Sequence, residues 1–115
     1  MTTLDQYQAR TADQAIYPSA GEAGSPMSLA YLGLGLTGES GEVADKIKKV
    51  IRDDAGIFSE EKRQAILLEL GDALWYLTRL ADEFGCPMQT VLEMNLEKID
   101  SRRLRGTQGG SGDDR

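Results

Sequence analysis

The stretch Pro26-Met27-Ser28-Leu29-Ala30-Tyr31-Leu32-Gly33-Leu34-Gly35-Leu36-Thr37-Gly38-Glu39-Ser40-Gly41-Glu42-Val43-Ala44-Asp45-Lys46-Ile47-Lys48-Lys49-Val50 decides the fold. Leu29, Leu32, Leu36, Val43, Ile47 and Val50 recur at the spacing of one helical face. Ser25 before Pro26 reads as a cap followed by proline at the first helical position. The pattern predicts one long helix from Pro26 to about Asp54. Gly33, Gly35, Gly38 and Gly41 lie inside it, and each costs up to ~1 kcal/mol relative to alanine. Four glycines in one helix point to close approach of another helix or a ligand, or else to a break near Gly38.

Outward from this helix the chain keeps the same period. Leu4 to about Ala15 reads as a short polar helix. It is stopped at Ile16-Tyr17-Pro18, because the residue before proline is pushed out of helical geometry. Asp53-Asp54-Ala55-Gly56 ends the long helix. Ser59 then caps a third, with Glu60 and Glu61 suited to its first turn. Its apolar face is Ile66, Leu70, Leu74, Leu77, Ala81 and Phe84, and Gly85 ends it. A fourth helix starts near Pro87, presents Met88, Leu92, Leu96 and Ile99, and stops before Gly106. No segment alternates as a strand does. The class is all-α: one domain over 1–105 made of four helices, with short loops that make neighbours antiparallel. Residues 106–115 form a tail too rich in glycine for a helix, and on composition it reads as a disordered terminus.

The chain has 115 residues, 19 Asp+Glu against 13 Lys+Arg, no histidine and one cysteine. The absence of histidine excludes a catalytic triad, a histidine base and a histidine-ligated metal. A single cysteine excludes an internal disulfide, and Cys86 between Gly85 and Pro87 reads as packing. A net charge of −6 argues against a nucleic-acid polymer or a basic membrane helix as partner. No apolar run reaches the ~18 residues of a membrane span, and the start lacks signal-peptide features, so a cytoplasmic protein is the expectation. A chain this short buries a modest core, which favours oligomerisation.

Two carboxylate pairs stand out. Glu39 and Glu42 are three apart on the second helix, and Glu69 and Asp72 are three apart on the third. Each pair lies on one side of its helix, at the edge of the apolar stripe. On antiparallel helices all four can converge, where they repel one another unless a cation sits between them. Oxygen-only ligands suit Mg²⁺, with Mn²⁺ as a substitute, and Mg²⁺ commonly brings a phosphate-bearing substrate. The same spacing is abundant on solvated faces of charged helices, so the residues alone leave both readings open. Asn95, Lys98 and Arg102 form a second stripe on the fourth helix. It is suited to phosphates, or else simply basic to match the helix dipole. Tyr76 lies one turn beyond Asp72, beside Trp75, placed to stack on a base or to fill the core. Lys46 and Lys49 follow Glu42 by one and two turns and read first as ion-pair partners.

These residues resemble the MazG-like nucleoside triphosphate pyrophosphohydrolases. The segment Gly33 to Lys49 resembles the family's first motif, Glu69-Leu70-Gly71-Asp72-Ala73-Leu74-Trp75-Tyr76-Leu77 the second, and Asn95-Leu96-Glu97-Lys98-Ile99 the third. The resemblance implies a four-helix, dimeric or tetrameric enzyme that needs Mg²⁺. Such an enzyme cleaves a nucleoside triphosphate to the monophosphate and pyrophosphate. It implies Glu39, Glu42, Glu69 and Asp72 as metal ligands and catalytic groups, Asn95 and Lys98 at the phosphates and Tyr76 near the nucleotide. Arg102 joins Lys98 as an expected phosphate contact. Many members carry a further Glu where this chain has Gly38, which leaves open the number of metal ions and the identity of the base. The ending Ser111-Gly112-Asp113-Asp114-Arg115 resembles a tail shared by some relatives, which implies a segment that folds over bound phosphates. Two other readings are a phosphoribosyl-ATP pyrophosphatase of the same fold and a non-catalytic nucleotide-binding helical protein.

Overall fold

The computed structural model describes residues 1–115. It contains four helices and no strand: α1 (Leu4–Asp13), α2 (Pro26–Asp53), α3 (Glu60–Glu83) and α4 (Met88–Arg105). The expected ends hold to within about two residues. Thr3 and Gln6 close a capping box at the start of α1. The Ser59 hydroxyl accepts from the Lys62 amide at 3.2 Å to cap α3. Gly106, in the left-handed region at φ 71°, ends α4. Helix α2 runs unbroken through its four glycines.

The long hairpin of α2 and α3 is the scaffold. Gly35 faces Tyr76, and Lys46 faces Glu69, so the register runs antiparallel. Leu32 and Val50 are fully buried on the α2 side, and Thr78 and Ala81 are buried on α3. Helix α1 lies antiparallel along the second half of α3. Three polar contacts fix that register. Gln8 Nε2 donates to Asp82 Oδ1 at 3.0 Å, Arg79 Nη1 donates to Thr11 Oγ1 at 3.3 Å, and Trp75 Nε1 donates to Gln14 Oε1 at 3.0 Å. Gln8 Oε1 also accepts from the Met88 amide at 2.7 Å, so α1 ties down one of the free N–H groups that open α4.

A charged network lies beneath the turn between α1 and α2. Arg79 is 4% exposed, and its guanidinium donates to the Tyr17 hydroxyl and lies 2.9 Å from Asp82. The Tyr17 hydroxyl donates to Glu83 Oε1 at 2.5 Å. Burial, with the Glu83 hydrogen bond, raises the Tyr17 pKa, so the phenol keeps the proton it donates. Ions this deep are tolerated because each is paired and hydrogen-bonded. Above them Tyr17 stacks on Tyr31 at 6.0 Å and meets Trp75 edge-on at 6.3 Å.

The single chain leaves much of its apolar surface open. Helix α4 contacts α1 and α3 but not α2. Leu70, Leu74, Leu77, Leu92, Leu96 and Ile99, the faces expected to form the core, are exposed in the protomer. The accessible area is 8010 Å², against about 6,200 Å² for a compact monomer of this mass. The tail also departs from its compositional reading. It folds back on α4, where the Thr107 amide donates to Arg102 O at 2.8 Å and Arg105 Nη2 donates to Arg115 O at 2.9 Å. Gly106, Gly110 and Gly112 make its turns at positive φ, which composition alone does not distinguish from disorder.

Candidate metal centre

Antiparallel packing brings residues from different motifs to one level of the hairpin. Glu39 lies one turn after Gly35, and Asp72 lies one turn before Tyr76. With Gly35 against Tyr76, Glu39 therefore meets Asp72, and Glu69 lies one turn before Asp72 on α3. Carboxylate oxygens of Glu39, Glu69 and Asp72 lie within 4.8 Å of one another. Glu39 and Glu69 are half-buried, and Asp72 is exposed. Glu42, the fourth expected member, is exposed and stands outside this trio.

The electrostatics of the trio are unfavourable without a cation or a proton. Burial raises the Glu39 pKa above the usual carboxylate value, and a hydrogen bond to Glu69 and the charges of Asp72, Glu69 and Glu42 add to it. Lys46 offsets part of the charge, with Nζ 3.3 Å from Glu69 Oε1. An all-oxygen donor set, open on the Asp72 side, fits a hard divalent ion such as Mg²⁺. On the other side of Lys46 the hairpin opens into a cavity of about 220 Å³ lined by Lys46, Lys49, Lys62, Ala65 and Ile66.

Tyr76 sits beside the trio. Its ring packs on the bare backbone of Gly35 and meets Trp75 edge-on at 5.1 Å. Burial raises the Tyr76 pKa, with Tyr31, Glu39 and Asp72 adding to it. The α4 stripe is elsewhere in the chain. Asn95 and Lys98 are exposed, Arg102 is buried under the tail, and none is paired with the carboxylates. The expected ion pairing of the α2 lysines is present: Lys46 with Glu69, and Lys49 with Asp45 at 2.7 Å. Sequence reasoning missed Arg79, Glu83 and Tyr31. Arg79 and Glu83 meet Tyr17 from 62 and 66 residues away and Tyr31 meets it across the α1–α2 turn, so apart from the Arg79–Asp82 pair no local spacing marks them.

Residues 28–105 match the family model described as the MazG nucleotide pyrophosphohydrolase domain. The chain belongs to this family. The MazG match spans the three helices that carry the carboxylates and the Asn95–Lys98 stripe. The chain is also 45% identical over 112 residues to the Gene 37 protein of Mycobacterium phage L5, covering 97% of this chain and 98% of that relative. No solved structure matches it. No helix of this MazG protein is long and apolar enough to cross a membrane.

Proposed function

We propose that this protein is a Mg²⁺-dependent nucleoside triphosphate pyrophosphohydrolase that converts (d)NTP to (d)NMP and pyrophosphate in the cytoplasm. The observation that carries this reading is the trio of Glu39, Glu69 and Asp72 within 4.8 Å, in a chain whose family hydrolyses nucleotides. Glu39, Glu69 and Asp72 would hold the ion, with Glu42 one turn from Glu39 as a further ligand or as base. The ion, when bound, supplies Lewis acidity at the α-phosphate and offsets charge on the leaving pyrophosphate. Glu42 is exposed one turn from Glu39, and in this reading it takes the proton from the attacking water. Tyr76 forms a wall beside the reacting phosphate. Asn95 and Lys98 are assigned to the phosphates of the substrate. In this reading they come from a second copy, since within one chain α4 does not contact α2 and neither residue is paired with the carboxylates. A homodimer or homotetramer is therefore part of the reading, and it would also cover the open faces of α3 and α4.

The test is product analysis. The protein is incubated with Mg²⁺ and a panel of ribo- and deoxyribonucleoside triphosphates, including oxidised ones, and with phosphoribosyl-ATP. Monophosphate plus pyrophosphate from the triphosphates is the expected result. Turnover of phosphoribosyl-ATP alone would move the assignment to that pyrophosphatase, and binding without turnover would make it a nucleotide-binding protein. Glu69→Gln and Asp72→Asn should each lower kcat at least ~100-fold while the helical circular dichroism stays unchanged.

A further inference from the structure

The α2–α3 hairpin changes its chemistry on either side of the carboxylate trio. Toward the start of α2 lie Gly35 and the Tyr76 ring, with Trp75 edge-on to that ring. Toward the end of α2 the register set by Gly35 and Tyr76 brings Lys46 opposite Ala65 and Lys49 opposite Lys62. These four residues and Ile66 line the cavity of about 220 Å³. That volume is several times the ~30 Å³ share of one water, room for a hydrated phosphoryl group. The carboxylates bonded at this end are already engaged. Glu69 takes Lys46 at 3.3 Å, Asp45 takes both Lys48 at 3.1 Å and Lys49 at 2.7 Å, and Asp53 takes Arg52 at 2.7 Å. Lys62 enters none of these pairs. Three lysines gathered in one cleft raise the local concentration of anions. Lys46 also answers to the trio, because a divalent ion there repels its ammonium from Glu69 toward the cavity on its other side. Lys46 follows Glu39 by seven residues, about 10 Å at ~1.5 Å per residue. An extended triphosphate and a lysine side chain together span that distance.

We propose that Lys46, Lys49 and Lys62 form the subsite for the two distal phosphates of a nucleoside triphosphate, which lies along the hairpin with its nucleoside toward Tyr76 and its leaving pyrophosphate toward the lysines. This rests on the pyrophosphohydrolase reading for the identity of the ligand and adds its orientation. As the water oxygen bonds to the α-phosphorus and its proton passes to Glu42, the bond from that phosphorus to the bridging oxygen breaks. The electron pair leaves on the pyrophosphate, and the growing charge meets Lys46 first, the lysine whose side chain reaches the trio. Ammonium groups on flexible stems suit this end, because they can follow a phosphate chain that must then depart.

The test is calorimetric titration of the full chain with inorganic triphosphate in chelator, where neither a nucleoside nor an ion contributes. The unaltered chain should bind it. Lys62→Gln should bind at least about fivefold more weakly, the loss of one charge-assisted contact. Lys48→Gln makes the same change of charge beside Lys49 but outside the cavity lining, and it should bind like the unaltered chain. The Lys62 amide, not its side chain, meets the Ser59 cap, so circular dichroism should stay unchanged. In Mg²⁺, Lys62→Gln should weaken binding of an α,β-methylene nucleoside triphosphate and leave that of the nucleoside monophosphate as it was. The proposal is overturned if the unaltered chain does not bind inorganic triphosphate, if Lys62→Gln binds it equally well, if Lys48→Gln loses as much, or if the analogue and the monophosphate weaken alike. Anion binding in the expected pattern with no nucleotide hydrolysed would count against the enzyme reading alone. Hydrolysis with a KM that Lys62→Gln does not move would count against this subsite alone.

Discussion

Gly35 and Tyr76 are locked together: a Cβ built on Gly35 would lie 2.2 Å from Tyr76 Cε1 and 2.5 Å from its Cζ. The aromatic ring uses the space that any side chain at position 35 would fill. This contact sets how closely α2 and α3 approach just beside the carboxylates, and with it the meeting of Glu39 and Asp72.

Gly35→Ala should therefore destabilise the protein despite the better helix propensity of alanine. Propensity gains up to ~1 kcal/mol, and overpacking costs about 1–3 kcal/mol, so the net effect is a lower melting temperature. Tyr76→Ala in the same chain removes the obstacle and should recover most of the loss. A double-mutant cycle by thermal melting measures that coupling. Additive effects of the two changes would show that the contact does not constrain the hairpin.

The four helices were legible because apolar period, Pro26, the Ser59 cap and the glycine stops all act locally, although Ser25, read as a cap, makes no side-chain hydrogen bond to α2. The carboxylates were legible as pairs, and Glu39, Glu69 and Asp72 do meet, since antiparallel packing of two adjacent helices leaves little choice of register. The purpose of the glycines was not. Gly35 alone meets a neighbouring side chain, whereas Gly33, Gly38 and Gly41 have nothing within 4 Å. Spacing cannot tell which glycine faces a tyrosine 41 positions later. Composition alone left the tail open, because glycine-rich stretches are shared by flexible chains and by chains that need positive φ.

The crowded carboxylates make a prediction for pH. Glu39 has its pKa raised in the folded chain, chiefly by burial, so the folded state binds its proton more tightly than the unfolded one does. Stability linked to this group is present at low pH and is lost as pH rises from the ordinary carboxylate value through the raised one. Melting curves in chelator should show this fall, and Glu39→Gln should lack it. Saturating Mg²⁺ should reverse the trend at neutral pH, raising the melting temperature of the unaltered chain and not that of Glu69→Gln. A melting temperature indifferent to Mg²⁺ at every pH would remove the metal from the trio.

The network under the α1–α2 turn should carry stability rather than chemistry. Tyr17→Phe leaves Glu83, 6% exposed, without the hydroxyl that donates to it, and takes an acceptor from Arg79. The expected cost is about 1–3 kcal/mol in urea unfolding. Arg79→Met removes the guanidinium that meets Tyr17, Thr11 and Asp82, at a similar cost of about 1–3 kcal/mol. Once folded, Tyr17→Phe should keep its kcat. A large fall in kcat with unchanged stability would instead put Tyr17 in the site.

The proposed role of Asn95 and Lys98 at the carboxylates of a second copy makes assembly a condition for turnover. Leu70, Leu74 and Leu77 are 48%, 37% and 44% exposed along one side of α3. The radius of gyration is 17.0 Å, where a compact chain of this length would have about 13 Å. An apolar strip of this length in water favours association, and a second copy is the partner always present at matching concentration. Light scattering should give a mass twice or four times 12.6 kDa, and Leu74→Glu should reduce it to the monomer with loss of turnover. If Lys98 serves the trio of a neighbouring copy, chains carrying only Glu69→Gln and chains carrying only Lys98→Gln are each inactive. Coexpressed, they can form a mixed oligomer in which one site has both residues intact. Recovery of activity in that mixture is the expected result, because each variant supplies what the other lacks. A mixture as inactive as its components, from chains of confirmed oligomeric mass, would mean that Lys98 serves only its own chain.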